Sequence, residues 1–205
     1  MSKSKYEDYF VQHGILGASH KSKAAEIILK AQPTLEAFSY SSPSGYIRDI
    51  WSKLNGGDKN LSLAGQMFEL VLACILLREG IQPFYMAAEV QHVPNAKFDL
   101  LLLSEEYGPV VLSAKTSLRE RYKQADLEAQ ALRAVYRRSR TFLVTLDEGE
   151  AANVQRKIEI GSVLNLEKVV VASSDDFDRL IIDLSAIRFI PSQFLPSIKV
   201  GRFVS

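Results

Sequence analysis

Residues 98–128, FDLLLLSEEYGPVVLSAKTSLRERYKQADLE, decide the fold. Two short apolar runs, 98–103 and 110–116, are separated by a segment rich in turn-forming and charged residues. Runs of this length with such a boundary are typical of paired β-strands. After Thr116 the apolar residues recur at roughly helical spacing, which indicates a helix. The stretch therefore predicts a β-hairpin that leads directly into a helix.

Strands and helices alternate on the C-terminal side of this stretch, and a further strand is predicted before it, at 89–93. The later predicted elements are a strand at 141–146, a helix at 150–158, a strand at 168–172, a short helix from Asp175 and a tail that contains Pro191 and Pro196. A meander of strands followed by alternating helices and strands predicts an α/β fold, with a central mixed β-sheet flanked by helices.

The N-terminal third is predicted to be helical. Ser42 and Pro43 have the residue types of a helix cap and a first helical position. The long apolar stretch 61–79 is followed by Gly80, which suits a buried helix with a glycine terminator. At 205 residues the chain is expected to form one domain, with a helical N-terminal subdomain at 1–60 and a core at 61–205.

The charge of the chain is nearly balanced overall but uneven locally. A net charge of +1 excludes a uniformly basic surface that would hold any polyanion. Residues 115–140, however, contain eight basic and three acidic side chains. Nucleic-acid binding would therefore have to come from this local basic segment.

Two absences suggest where the protein works. The single cysteine, Cys74, lies in an apolar run and cannot form an internal disulfide, which fits a reducing compartment. The N-terminus lacks the apolar stretch of a signal peptide, and no window reaches the roughly 18 apolar residues of a membrane span. We expect a cytoplasmic protein without a membrane partner.

Two charged residues stand at the ends of the predicted hairpin strands. Asp99 follows Phe98 at the start of one strand, and Lys115 lies near the end of the next. Adjacent strands would place the two side chains together, and the period of two would put Ser113 on the same face as Lys115. Hydrolysis of a phosphodiester needs a cation held by carboxylates, and usually a cationic side chain near the attacking water.

An Asp on one strand and an acidic-x-Lys motif on the next resembles the PD-(D/E)xK nuclease superfamily, although Ser113 stands at the acidic position here. The following residues, Lys-Thr-Ser-x-Arg-Glu-Arg-Tyr from Lys115, more narrowly resemble the EcoRII catalytic domain and the related NgoMIV group. In that branch a small residue precedes the lysine, and the second metal-binding acid lies on the next helix. Glu128, which lies 13 residues after Lys115, matches that acid, and Glu69 matches a supporting carboxylate on an upstream helix.

The resemblance covers 69–128 and implies a type II restriction endonuclease. It implies that Asp99 and Glu128 bind Mg²⁺, with Mn²⁺ as a substitute, and that Lys115 has a catalytic role supported by Glu69. The implied substrate is double-stranded DNA with a short G·C-rich palindrome containing CC/GG, and the implied cut leaves a 5′-phosphate. A palindrome favours a homodimer, and a cognate DNA methyltransferase is expected in the host.

Arg119, Glu120 and Arg121 have a separate interpretation at the start of the predicted helix. A guanidinium bonds bidentately to guanine, and a carboxylate accepts from cytosine, so this cluster suits the reading of G·C pairs in a major groove. Arg121 and Glu128 are seven residues apart and would share a helix face. The alternative is a solvated helix start with local ion pairs.

Two other functions remain open. One is a related nuclease of DNA repair or phage defence without strict sequence preference. The other is a DNA-binding module of the same fold that has lost catalysis. This possibility is raised by the serine at position 113, where the motif has an acid. Glu69 likewise has an alternative, as a polar residue on the exposed edge of its helix.

Overall fold

Helices precede the first strand and then alternate with strands along the chain. The computed structural model describes residues 7–17, 22–31, 40–54, 61–192 and 198–205. The helices are α1 (Glu7–Gln12), α2 (Lys23–Ala31), α3 (Pro43–Lys53), α4 (Leu61–Arg78), α5 (Arg121–Val135), α6 (Glu148–Glu159) and α7 (Asp175–Ser185). The strands are β1 (Phe84–Val90), β2 (Phe98–Ser104), β3 (Gly108–Lys115), β4 (Arg140–Thr145), β5 (Lys168–Val171) and β6 (Ile198–Val204).

The six strands form one mixed sheet in the order β5-β4-β3-β2-β1-β6. Strands β1, β2, β3 and β6 pair in antiparallel fashion, whereas β3, β4 and β5 run parallel. The predicted α/β fold with a central mixed sheet and a helical N-terminal part is therefore confirmed. The predicted hairpin of β2 and β3 lies in the middle of the sheet.

Both faces of this hairpin are buried, and each face packs against a different helix. Leu100 and Leu112 belong to a core cluster that includes the residues of α4. Leu101 and Val111, which alternate with them, belong to a second cluster with Leu132 of α5. Because side chains alternate along a strand, a nearly continuous apolar run is needed when both faces are covered. The runs 98–103 and 110–114 meet that requirement.

The ends of two helices follow the predicted signals. The Ser42 side chain accepts a hydrogen bond from the Gly45 N–H at 3.0 Å, and Pro43 is the first residue of α3. After α4, Gly80 adopts a positive φ of 68°, and the Ile81 N–H donates to the Leu76 carbonyl at 2.8 Å. This is the glycine terminator predicted for the apolar helix, and it fixes where α4 ends before β1.

Two strands differ from the sequence-based prediction. The strand predicted at 89–93 lies earlier, at Phe84–Val90, because 91–95 form turns in which His92 and Asn95 have positive φ angles. The tail predicted at the C-terminus contains an edge strand, β6, in which Lys199, Gly201 and Arg202 interrupt the apolar residues. Pro196 lies outside the described residues.

The described helices also bear on membrane association. None of them combines the length and the apolar character that crossing a bilayer would require.

Candidate active site on the central hairpin

The hairpin of β2 and β3 brings Asp99 and Lys115 into direct contact. Asp99 is the second residue of β2 and Lys115 is the last residue of β3. The strands are in register with Leu100 opposite Leu112. The Lys115 Nζ donates to the Asp99 Oδ2 at 2.9 Å. The predicted juxtaposition of the two side chains is therefore confirmed.

The same carboxylate oxygen of Asp99 also accepts bonds from its neighbours on β3. The Ala114 N–H donates to Oδ2 at 2.8 Å, and the Ser113 hydroxyl donates to it at 3.4 Å. A carboxylate at position 113 would place a second negative charge against Asp99, whereas the serine supplies a donor. Among the described residues, the bonds that Asp99 accepts all end on Oδ2, so its Oδ1 can serve another ligand.

A backbone irregularity lies beside Asp99 on the neighbouring strand. Ala87 of β1 has a φ of 51°, a conformation uncommon for a residue other than glycine. It lies between the pairs Met86–Leu100 and Ala88–Phe98, next to a register shift between β1 and β6. Such bulges bend a strand and occur often next to active sites. The irregular residue therefore lies opposite Asp99 of β2.

Glu128 lies on α5 and interacts electrostatically with the pair. Its side chain is partly buried. Burial raises the pKa of Glu128, while the hydrogen bond from Gln124 at 2.8 Å and the charge of Lys115 lower it. The charge of Asp99 raises this pKa as well. The helix acid thus lies within electrostatic reach of both hairpin residues.

Glu69 of α4 interacts electrostatically with the same two residues, Asp99 and Lys115. Burial is the largest cause that raises the pKa of Glu69 to about 7, and the charge of Asp99 adds to it. The charge of Lys115 opposes that rise. Because Glu69 is partly buried and faces these charges, the structure does not place it on an exposed helix edge.

Four predicted residues are therefore gathered at one end of the hairpin. A search of the described chain finds no group of three or more His, Cys, Asp or Glu side chains arranged to hold a metal ion. Mg²⁺, however, is commonly bound through one or two carboxylates and keeps several waters. Asp99 and Glu128 offer the hard oxygen donors that this ion prefers, and a cation would relieve their mutual repulsion. The donor set fits Mg²⁺ or Mn²⁺.

Arg119, Glu120 and Arg121 are all exposed, and they occupy the turn before α5 and its first residue. Glu120 forms an ion pair with Lys123, and the hydrogen bond from that lysine lowers the pKa of Glu120. For Glu120, this ion pair agrees with the alternative interpretation, in which the triplet is a solvated helix start with local ion pairs. Neither arginine of the triplet has an ion-pair partner among the described residues.

Asp147 holds this segment in place, although the sequence analysis did not single it out. Its side chain accepts from the Leu118 N–H at 3.0 Å and from the Glu150 N–H at 3.1 Å. It therefore caps α6 and anchors the loop that follows Lys115. The Asp-x-x-Glu pattern at 147–150 is a recognisable helix-start signal. No sequence pattern predicts the hydrogen bond from the Leu118 N–H to Asp147, because the two residues are far apart in the chain.

Two further cations near the site were also missed. The charges of Arg202 and Lys97 both lower the pKa of Glu69. Arg202 lies on β6, opposite Met86 of β1. Because the edge strand itself was not predicted, no sequence signal connected Arg202 with the acidic residues.

The comparisons with known proteins bear on the fold. No protein-family model matches the chain, and no curated protein is similar to it. The restriction endonuclease PspGI, solved in a complex with substrate DNA, aligns with a TM-score of 0.54 and 17% sequence identity over 83% of this chain and 97% of its own. Metal-depleted Ecl18kI, in a complex with uncleaved, modified DNA, aligns with a TM-score of 0.40 and 22% identity over 77% of this chain and 60% of its own. The likeness to PspGI shows a restriction-endonuclease-like fold.

The raised pKa of Glu69 predicts a pH dependence of stability. The pKa of the Glu69 carboxyl is about 7 in the folded protein and about 4.5 without the influence of the fold, so folding favours the protonated carboxyl. This contribution to the free energy of unfolding is fully present below about pH 4.5 and is lost as the pH rises through 7. Between pH 5 and 8 the wild type should lose about 2 to 3 kcal/mol of unfolding free energy relative to the Glu69→Gln variant. Urea unfolding in a metal-free buffer measures this difference.

Glu26→Gln is the matched control, since Glu26 is an exposed glutamate on another helix, α2. Its pH profile should follow that of the wild type. Parallel profiles for the wild type and Glu69→Gln would contradict the electrostatic description of this residue.

Proposed function

We propose that the protein is a Mg²⁺-dependent endonuclease of the type II restriction class that cleaves double-stranded DNA. The observation that carries the proposal is the contact between the Lys115 Nζ and the Asp99 carboxylate, with Glu128 and Glu69 in the same electrostatic field. The fold supports it, because PspGI, which has a similar fold, is a restriction endonuclease solved with its substrate DNA.

In this proposal Asp99 and Glu128 hold the divalent cation. Bound there, Mg²⁺ or Mn²⁺ supplies Lewis-acid stabilisation of charge on the phosphate and lowers the pKa of a water molecule. Position 113 does not need an acid, because Glu128 provides the second carboxylate from α5. The Ser113 hydroxyl instead helps to orient Asp99 through the bond at 3.4 Å.

Lys115 orients the attacking water and stabilises negative charge on the reacting phosphate. The water oxygen forms the new bond to phosphorus and releases a proton to solvent, the bond from phosphorus to the 3′ oxygen breaks, and the 3′ oxygen takes up a proton from solvent. The products are a 5′-phosphate and a 3′-hydroxyl. Asp99 positions the Lys115 ammonium through their ion pair, and Glu69 adjusts the charge balance around them.

Recognition of DNA falls to the exposed start of α5. We assign Arg119 and Arg121 to guanine edges and Glu120 to a cytosine amino group, in a short G·C-rich palindrome that contains CC/GG. The ion pair of Glu120 with Lys123 does not prevent this, because both side chains are largely exposed and the pair is worth little. A homodimer would match the symmetry of the site, and a cognate methyltransferase would protect the host.

A mutation pair tests the catalytic assignment. Lys115→Met and Glu128→Gln should each lower the rate of Mg²⁺-dependent cleavage of phage λ DNA by at least about 100-fold. The first removes the cationic group beside the reacting phosphate, and the second removes a ligand of the divalent cation. Circular dichroism should show that both variants remain folded. Discrete fragments from the wild type would identify a site-specific enzyme, whereas a smear would favour a nuclease without sequence preference.

The chain offers a close control for each substitution. Glu159 on α6 accepts a hydrogen bond from Gln155, just as Glu128 accepts one from Gln124, so Glu159→Gln reproduces the local change. Lys168→Met removes a lysine that pairs with Asp176 instead. Both controls should cleave normally. Undiminished cleavage by Lys115→Met and Glu128→Gln would refute the site, and no cleavage by any protein would favour a DNA-binding module.

Arg121→Ala tests the assignment of base recognition. Loss of one bidentate contact should reduce discrimination between the true site and single-base variants by about 1 to 3 kcal/mol. Arg137→Ala, at the other end of the basic segment, should lower cleavage of all sites uniformly and slightly. Cleavage rates on a set of variant duplexes measure both effects. Unchanged discrimination in Arg121→Ala would exclude this arginine from base reading.

A further inference from the structure

Arg202 is a partly buried cation on the edge strand β6. Its Nε atom is buried and has no hydrogen-bond partner among the described residues. None of the ion pairs in the described part of the chain includes its guanidinium. An arginine keeps its positive charge in proteins, and a buried donor without an acceptor is costly. The placement of Arg202 therefore needs a reason other than packing.

The register of the sheet places Arg202 on the face that α4 covers. Arg202 lies opposite Met86 of β1, and Met86 lies opposite Leu100 of β2. Met86 and Leu100 belong to the core cluster that includes the residues of α4, as does Val204, two residues after Arg202. Side chains that are opposite each other, or two apart on one strand, share a face of the sheet. The Arg202 side chain therefore lies on the α4 side, beside the row that ends next to Asp99.

Glu69 is an acidic residue of α4, the helix that covers this face. It lies between Phe68 and Leu70, which belong to the same core cluster, and its own side chain is partly buried. Its carboxylate forms no ion pair with any of the described residues. Two partly buried side chains of opposite charge thus occupy one face of the sheet, and neither has a direct ion-pair partner in the described chain.

Several charges act on the Glu69 carboxylate, and they differ in how available they are. The charges of Lys115, Arg202 and Lys97 lower the pKa of Glu69, whereas the charge of Asp99 raises it. Lys115 is committed to Asp99, at 2.9 Å. Lys97 is exposed, so water and salt screen its charge. Of these cations, Arg202 is the one that is both partly buried and not committed to another acid.

We propose that Arg202 is a positioning residue, which draws the ionised Glu69 carboxylate toward the edge strand and away from the ion pair of Asp99 and Lys115. The two side chains form no direct ion pair in the structure, so their attraction acts at longer range. Partial burial strengthens such an attraction relative to one in bulk water.

The role of Arg202 in cleavage rests on the function proposed above. A second carboxylate free to approach Lys115 would compete with Asp99 for its ammonium. By holding Glu69 back, Arg202 would preserve the contact that positions Lys115 beside the reacting phosphate. Arg202 itself touches neither the phosphate nor the cation in this proposal.

A double-mutant cycle in the absence of DNA and metal tests the coupling of Arg202 with Glu69. At pH 8 most of the Glu69 carboxyl is ionised, because its pKa is about 7. Arg202→Met should then raise the equilibrium constant of unfolding at least about 5-fold more in the wild type than in the Glu69→Gln variant. At pH 5 the carboxyl is protonated, and this difference should disappear. Urea unfolding at both pH values measures the cycle.

Lys199→Met is the matched control, because Lys199 lies on the same strand but pairs with Glu89, at 3.9 Å. It should show no coupling with Glu69 at either pH. Arg202→Lys keeps a positive charge and should retain part of the coupling. Arg202→Gln repeats the cycle if a methionine disturbs folding. Equal effects of the Arg202 substitutions in the wild type and in Glu69→Gln at pH 8 would overturn the proposal.

Cleavage kinetics test the positioning role separately from the coupling. Arg202→Met should lower kcat about 10-fold with KM unchanged, and it should cause no further loss in the Glu69→Gln variant. Unchanged kcat, or a raised KM alone, would refute the positioning role, and a raised KM would instead assign Arg202 to DNA binding. A wild type that shows the coupling at pH 8 but does not cleave DNA would refute the proposed function alone.

Discussion

The ion pair between Asp99 and Lys115 is the contact on which the proposed site depends. Lys115 ends an apolar strand and is only 8% exposed, so its ammonium needs a partner. The antiparallel register of β2 and β3 supplies that partner, because it places Asp99 within 2.9 Å of the Lys115 Nζ. A slip of one residue would turn Lys115 toward the core under α4, at a prohibitive desolvation cost. The polar pair and the apolar pattern therefore specify the same register.

Like charges gather around this pair in a way that does not favour stability. Glu69 and Glu128 both have raised pKa values, with burial as the largest cause and the charge of Asp99 as a further one. Burial and the charge of Asp99 both disfavour the ionised form of these carboxylates, an arrangement that is common at functional sites. A divalent cation would remove the repulsion. The serine at position 113 limits this repulsion, because its hydroxyl donates a hydrogen bond to Asp99 where an acid would add another negative charge.

The hairpin and the gathering of its charged residues could be predicted, because strand alternation fixes which side chains share a face. The proximity of Glu128 came from a resemblance, since neither strand nor helix periodicity connects α5 with the sheet. The position of β1 was predicted too late in the chain because its Met86-Ala87-Ala88 segment lacks β-branched residues. Strand β6 and Arg202 escaped prediction because Lys199, Gly201 and Arg202 interrupt the apolar residues of this strand. Asp147 was missed because its contact with Leu118 joins segments far apart in sequence.

Calorimetric titration with Mn²⁺ tests most directly whether these carboxylates form a metal site. The wild type should bind the ion with a measurable heat, and Asp99→Asn should abolish that heat while circular dichroism shows an unchanged fold. This result would establish that the acid fixed by Lys115 is a metal ligand. Identical binding by the wild type and Asp99→Asn, or no binding by either, would contradict the claim that the hairpin builds a metal-dependent nuclease site.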